Sequence, residues 1–165
     1  MNITLSKVIL LFFVSFSIIS CSKEDVSETQ VDKVPANVTY NYLADEIEVL
    51  DLINDYRQSI ELNKLDKIDY VSAKSEEHTN YMVTTGTMNH DFFEERYDCI
   101  MATLKAKNVS ENLACNYTTA QNVLKAWLNS PGHKANIEGD FTHFGISIRA
   151  NAEGEKYYTN IFVKR

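Results

Sequence analysis

Three polar residues are the strongest candidates for a chemical site. His90 follows a loop, Glu111 interrupts an apolar segment, and His133 comes just after a Ser-Pro-Gly turn. A carboxylate in an apolar strand is costly to bury unless it faces a polar pocket, and imidazoles titrate near neutrality. If these side chains converge, they can bind a divalent cation such as zinc or perform acid–base chemistry. His90, Glu111 and His133 are therefore the candidate cleft residues, with His90 and His133 as the candidate metal ligands.

Each candidate also has a structural interpretation. His78 lies on a helical face beside Met82, which is typical of a half-buried imidazole bonded to a backbone carbonyl. His143 begins a predicted strand and should be exposed or at a rim. Tyr157 belongs to a Tyr-rich strand, where sheet packing explains it. We keep His78 and Tyr157 as rim candidates. The chain has no His-Glu-x-x-His or Cys-x-x-Cys motif, so spacing alone does not settle the site.

Hydrophobic periodicity predicts the elements that must position these residues. Helices are predicted over 42–62, 69–85, 91–104 and 118–128, with a further helix start at Ser130-Pro131. Strands are predicted over 109–115, 143–149 and 156–163, the last two as a hairpin. In the third helix we expect the apolar residues to face inward: Phe92, Phe93, Tyr97, Ile100 and Leu104. Helices mostly first and strands mostly last favour an α+β layered domain.

The N-terminal residues are typical of an export signal. Lys7 precedes an apolar run, Val8 to Ile19, of about 12 residues, whereas a membrane-spanning helix needs about 20. The run ends in Ser20-Cys21, which resembles the lipobox at which bacterial lipoproteins are cleaved and acylated. We predict a lipoprotein signal peptide over 1–20 and lipid attachment at Cys21, the alternative being a secretory peptide with an incidental cysteine.

Composition separates a tether from one folded domain. The chain has 165 residues, 16 basic and 23 acidic, for a net charge of −7, which disfavours nucleic acid as a partner. Residues 21–40 are polar and acidic and predict a flexible tether; residues 41–165 form the domain. Lys23-Glu24-Asp25 resembles the short acidic signal that sends some lipoproteins to the outer face of the outer membrane, the alternative being part of a generic solvated tether.

The two remaining cysteines lie in a chain predicted to be exported. With Cys21 lipidated, Cys99 and Cys115 are the pair left, and exported proteins fold in oxidising compartments. We predict a Cys99–Cys115 disulfide, the alternative being two buried free thiols.

Seven short motifs occur in one order along the chain. They are Asn54-Asp55-Tyr56-Arg57, His78-x-x-x-Met82, Asn89-His90-Asp91-x-Phe93-x-x-Arg96, Glu111-Asn112-Leu113-Ala114, Trp127-Leu128-Asn129-Ser130-Pro131-Gly132-His133-x-x-Asn136-Ile137, Phe141-Thr142-x-Phe144-Gly145 and Tyr158-Thr159-Asn160-Ile161-Phe162. This succession resembles the CAP superfamily of cysteine-rich secretory, antigen 5 and pathogenesis-related proteins, with SCP-like domains, in its bacterial branch. The resemblance covers about residues 43–163. It implies an α-β-α sandwich, in which helices flank a central antiparallel sheet, and a large cleft.

The resemblance also assigns positions in that cleft, which in the family usually holds two histidines and two acidic residues. His90 matches the first histidine and Glu111 the glutamate. Ser130 stands where the second acid is expected, and Tyr157 stands near the second histidine. Bacterial members carry the histidine of Ser-Pro-Gly-His instead, so His133 is its substitute, and the complete set of four is absent.

The lipobox-like signal and the residues after it, together with the CAP resemblance, imply a lipid-anchored, extracytoplasmic protein of the cell envelope, at the outer membrane or the cell surface. Its cleft is expected to bind a lipid, a glycan or a peptide. One alternative is a hydrolase in the same cleft, which would use water, with or without a metal, because no Ser, Cys or Thr of the motifs is an evident activated nucleophile. The other is a structural or adhesion protein of the surface.

Overall fold

The computed structural model describes residues 37–165. The predicted signal peptide, Cys21 and residues 22–36 of the predicted tether lie outside the described residues. The described part contains five helices and four strands. In chain order they are α1 Ala44–Ser59, β1 Asp66–Lys67, α2 Asp69–Thr85, α3 Phe93–Leu104, β2 Asn108–Cys115, α4 Ala120–Asn129, α5 Pro131–Ile137, β3 His143–Ala150 and β4 Lys156–Lys164.

The four strands form one sheet in the order β1-β3-β4-β2. β3 and β4 are the predicted hairpin, and β4 also pairs antiparallel with β2, so that Glu111, Ile161 and Gly145 lie side by side in one row. β1 adds a short parallel pairing to β3, with Asp66 opposite His143. The predicted α+β class with an antiparallel central sheet is confirmed. β1 was not predicted, because two residues are too short to show a period.

Helices pack on both faces of the sheet. Successive strand residues point to opposite faces, so Ile146 and Tyr158 pack with Trp127 in a core shared with α1, α4 and α5. Ile161 and its neighbours on the other face pack with Val71 of α2 and Ile100 of α3. Since Glu111 lies opposite Ile161, its side chain leaves the sheet on the face covered by α2 and α3.

Helix bounds agree with the sequence prediction best where a glycine ends the element. α2 covers Asp69–Thr85 as predicted, and Gly86 follows it in the left-handed conformation with φ 65°. α3 starts at Phe93, and the expectation that Phe92 faces inward is wrong. Phe92 precedes the helix with φ 58° and is 58% exposed. A left-handed residue lies outside the helical period, so its side chain leaves the buried face.

The folded part begins before residue 41. Tyr40, predicted as the last residue of the tether, is only 7% exposed. Its hydroxyl donates to Oε1 of the buried Glu46 at 2.9 Å, and Arg149 donates to the same oxygen at 2.8 Å. This network joins the entering chain to α1 and to the end of β3.

α2 lies very close to the sheet at Gly145 of β3. A Cβ at this position would lie 2.4 Å from the backbone nitrogen of Ser72 and 2.6 Å from the carbonyl carbon of Val71. Ser72 Oγ accepts a hydrogen bond from the backbone N–H of Ile146 at 3.1 Å. The first turn of α2 is therefore fixed directly on β3, which sets the direction of the helix that carries His78.

β2 is an edge strand, and side chains from α4 and α5 attach to it. Trp127 Nε1 donates to the carbonyl of Leu113 at 2.8 Å, and Asn136 Nδ2 donates to the carbonyl of Glu111 at 3.2 Å. The strand that carries Glu111 is thus connected to the helix that carries His133.

Candidate functional site

Glu111 is the buried centre of the candidate site. Its side chain is 1% exposed, and Oε1 accepts a hydrogen bond from His90 Nδ1 at 2.8 Å. Arg96 donates to the same carboxylate twice, from Nε to Oε2 and from Nη2 to Oε1, each at 3.0 Å. An ionised carboxylate only accepts, so Nδ1 of His90 donates to it, and in the neutral imidazole Nε2 is left as the acceptor of a ring that is 55% exposed.

Arg96 is a site residue that sequence reasoning missed. It is 7% exposed, and besides its two bonds to Glu111 it donates from Nη1 to the carbonyl of Asp91 at 2.8 Å. Burial lowers the pKa of this guanidinium and the charge of Glu111 raises it. The available signal was its place at the end of the motif that contains His90. Arg96 neutralises the buried carboxylate and fixes the residue that follows His90.

His133 lies half-buried in α5, and its backbone rather than its ring is fixed by hydrogen bonds. Asn112 Nδ2 donates to the His133 carbonyl at 3.0 Å, and Asn136 Nδ2 donates to Asn112 Oδ1 at 2.8 Å. Burial lowers the pKa of the His133 imidazole, and the positive charge that His90 takes on when protonated lowers it further. The structure thus brings His90 onto Glu111 and places His133 within electrostatic range of His90.

The remaining candidates lie elsewhere. His78 is 2% exposed and bonds the Asn89 carbonyl, so it lies beneath the site rather than at its rim. Tyr157 is 4% exposed and packs in a small cluster with Met82, away from any rim. His143 is half-buried beside Thr142, whose hydroxyl is 2.8 Å from its Nδ1, at the pairing of β3 with β1.

The described donors do not fit a resident metal ion. Among residues 37–165 no group of three or more His, Cys, Asp and Glu side chains is placed to hold one. His90 and His133 provide two imidazoles, whereas zinc sites take three or four protein ligands. The carboxylate of Glu111 already accepts three hydrogen bonds, and the charge of Arg96 beside it opposes a second cation.

The predicted disulfide is not formed in the structure, which has Cys99 and Cys115 as free, partly exposed thiols. Ile100, next to Cys99, packs with Val109 at the start of β2, whereas Cys115 ends that strand. Six residue steps along the strand separate Val109 from Cys115 by about 20 Å. A disulfide requires Cα atoms within about 7 Å, whereas Cys99 lies on α3 beside a residue that packs with the start of β2 and Cys115 lies at the end of that strand.

Acidification is expected to destabilise the protein through the buried histidine, His78. Burial is the largest cause that lowers the pKa of His78, so below pH 6.5 the unfolded chain binds a proton that the native chain refuses. Stability should therefore be full above pH 6.5 and fall as the pH drops toward the lowered pKa, by at most about 1.4 kcal/mol per pH unit for this group. Urea unfolding between pH 8 and pH 5 measures the slope. A His78→Gln variant should show a shallower slope; equal slopes would contradict the assignment.

A family model described as the cysteine-rich secretory protein family, CAP, matches residues 50–163. The chain belongs to this family. The match covers every motif of the CAP resemblance, and it includes His90, Glu111 and His133.

Two Bacillus relatives are similar to most of this chain. An uncharacterized membrane protein, YlbC of Bacillus subtilis, is 31% identical over 126 residues, which are 73% of this chain and 34% of that protein. The uncharacterized protein YkwD of the same species is 30% identical over 122 residues, 72% of this chain and 46% of YkwD. The chain thus spans less than half the length of either relative.

Two solved structures share the CAP fold. An outer surface protein of Borrelia burgdorferi superimposes with a TM-score of 0.67 at 21% identity, covering 77% of this chain and 98% of that one. An extracellular SCP-domain protein of Bacillus anthracis gives 0.64 at 23% identity, covering 73% and 40%. Within residues 37–165 no helix is both long and apolar enough to cross a membrane.

Proposed function

We propose that this CAP protein is a lipid-anchored, extracytoplasmic binding protein of the bacterial envelope. The observation that carries the proposal is the His90 ring, which is 55% exposed yet bonded through Nδ1 to a carboxylate that is 1% exposed. Such a fixed imidazole offers Nε2 to a ligand at little cost in conformational freedom. A hydrogen-bond donor on a lipid, a glycan or a peptide fits this acceptor.

Apolar side chains near His90 in the chain support an amphipathic ligand. Phe92 is 58% exposed and Met88 is 45% exposed, and both belong to the segment between α2 and α3. Tyr81 packs edge-on against Phe92 with ring centroids 5.4 Å apart. A ligand that bonds to His90 can therefore cover apolar surface on the same loop, which adds affinity through area removed from water.

The lipobox-like sequence ending at Cys21 supports the anchor. Several acyl chains on that cysteine would exceed what stable membrane attachment needs. The names of the similar proteins agree with a location outside the cytoplasm: one is called a membrane protein, one an outer surface protein and one extracellular. The envelope, at the outer membrane or the cell surface, is the location we propose.

The same geometry favours a hydrolase as the second candidate. A carboxylate bonded to Nδ1 of an imidazole orients Nε2 to take a proton from water, as in general-base catalysis. His90 and Glu111 form this arrangement without a further nucleophile. Turnover of the bound ligand would distinguish the hydrolase from the binding protein.

Native mass spectrometry of the full chain, extracted in detergent from its own membranes, tests anchor and ligand together. We expect a mature chain that begins at an acylated Cys21 and carries a non-covalent adduct. The adduct should be lost in a His90→Ala variant and kept in His143→Ala, a substitution of a half-buried histidine at the start of β3. An unacylated chain would exclude the anchor. An adduct-free wild type would exclude the binding role and favour the structural or adhesion protein, and a cleaved adduct would favour the hydrolase.

A further inference from the structure

The loop that carries His90 is held from the inside of the protein. His78 of α2 is 2% exposed, and its Nε2 lies 2.7 Å from the carbonyl oxygen of Asn89. A carbonyl oxygen only accepts, so Nε2 of His78 carries a proton and donates it. Nδ1 of the same ring is buried and has no hydrogen-bond partner among the described residues. The ring is thus a neutral donor with one function visible in the structure, to bind the residue before His90.

The residue after His90 is fixed as well. Arg96 Nη1 donates to the Asp91 carbonyl at 2.8 Å, and the hydroxyl of Tyr81 donates to Asp91 Oδ2 at 2.8 Å. The His78 ring stacks on Tyr81 with centroids 5.8 Å apart and an interplanar angle of 19°. His90 therefore lies between two anchored neighbours, and His78 takes part in both anchors.

His90 needs such anchors because its side chain has little polar support of its own. More than half of its side chain is exposed, and within residues 37–165 its side-chain hydrogen bond is the one from Nδ1 to Glu111. Glu111 is fixed by Arg96 whether or not His90 is present. The backbone direction at His90 therefore decides whether the imidazole reaches the carboxylate through Nδ1 and presents Nε2 outward.

We propose that His78 is a positioning residue of the cleft: its buried Nε2–H fixes the Asn89 carbonyl and thereby holds His90 in the orientation that bonds Glu111. This deepens the proposed function, and its consequence for a ligand rests on it. Burial, more than the charges around it, disfavours the protonated form of this ring. Burial lowers the pKa of His78, as do Arg96 and the charged form of His90, against an opposing effect of Glu111 and of the bond to Asn89.

Two substitutions separate the donor from the packing. His78→Leu keeps a side chain of similar size but removes the N–H donor, whereas His78→Gln keeps an N–H donor. In the detergent-solubilised full chain, long-range ¹H–¹⁵N NMR of the imidazoles should show His90 as the Nδ1–H tautomer in wild type and His78→Gln. In His78→Leu we expect a mixture of tautomers. Amide hydrogen exchange at His90 and Asp91 should be at least about tenfold faster there, because an anchor has been lost.

His143→Leu is the matched control and should leave the His90 tautomer and the loop exchange unchanged. An unchanged His90 in His78→Leu would overturn the proposal and leave His78 as a core residue. Should that variant fail to fold, the wild-type spectrum still decides, because a His78 ring protonated at Nδ1 instead of Nε2 excludes the bond. None of these measurements requires a ligand, so failure to bind one would refute the proposed function alone.

Discussion

Replacing Arg96 by methionine is expected to lower the free energy of unfolding by about 3–5 kcal/mol, the usual cost of leaving a buried charge without its partner. The substitution keeps most of the side-chain volume but removes both hydrogen bonds to Glu111 and the one to the Asp91 carbonyl. The Glu111 side chain is 1% exposed, so water cannot replace the guanidinium without opening the site. Urea unfolding followed by the fluorescence of Trp127, the single tryptophan of the chain, measures the loss.

A double variant shows whether the unpaired charge is the cause. Glu111→Gln in the Arg96→Met background removes the charge and keeps the volume, so it should recover at least about 1 kcal/mol. The same Glu111→Gln change in the wild-type background should destabilise, because Arg96 then loses its carboxylate. An Arg96→Met variant within about 0.5 kcal/mol of wild type would mean that His90 alone is enough to stabilise Glu111.

Gly145→Ala is expected to cost about 3 kcal/mol or more, the upper part of the range for overpacking. The added methyl would meet backbone atoms of Ser72 and Val71 at 2.4 and 2.6 Å, and a helix backbone cannot rotate aside as a side chain can. α2 would have to shift off β3, which would disturb His78 and the loop above it as well. Thermal or urea unfolding gives the stability, and amide spectra report the shift of α2.

Gly132→Ala is the matched control for this prediction. Gly132 lies in the first turn of α5, and a Cβ there would meet nothing within 4 Å. Alanine is the better helix former, so this variant should be neutral or more stable by up to about 1 kcal/mol. Equal effects at both glycines would mean that the close approach of α2 to β3 relaxes without cost.

The sequence predicted the regular elements well where the hydrophobic period and the residues that end an element indicated the same bounds. α2 matched at both ends. Its C-terminal end was predictable because Gly86 can adopt the left-handed conformation that ends a helix. The pairing of His90 with Glu111 followed partly from the cost of burying a carboxylate in an apolar strand and partly from the family resemblance. Neither argument required knowledge of the tertiary structure.

Other features depended on long-range geometry. Arg96 was missed because a charged side chain on a helix is usually solvent-exposed. Its buried partner, the carboxylate of Glu111, lies 15 residues further along the chain. The disulfide prediction failed because it depends on which end of β2 meets α3. Phe92 was predicted to face inward because a phenylalanine gives no sign in the sequence that its backbone is left-handed.

The two edges of the sheet affect whether molecules crowded together on one surface can aggregate. Exposed strand edges with free backbone groups are templates on which neighbouring copies add strands and aggregate. At one edge β1 pairs only with the first two residues of β3, and beyond it the N–H groups of Ile146 and Ile148 donate to Ser72 and Glu46. At the other edge, β2 has the carbonyls of Glu111 and Leu113 bonded by Asn136 and Trp127. Copies held side by side at high local concentration therefore meet through their helices and loops, and strand-to-strand polymerisation has little backbone on which to start.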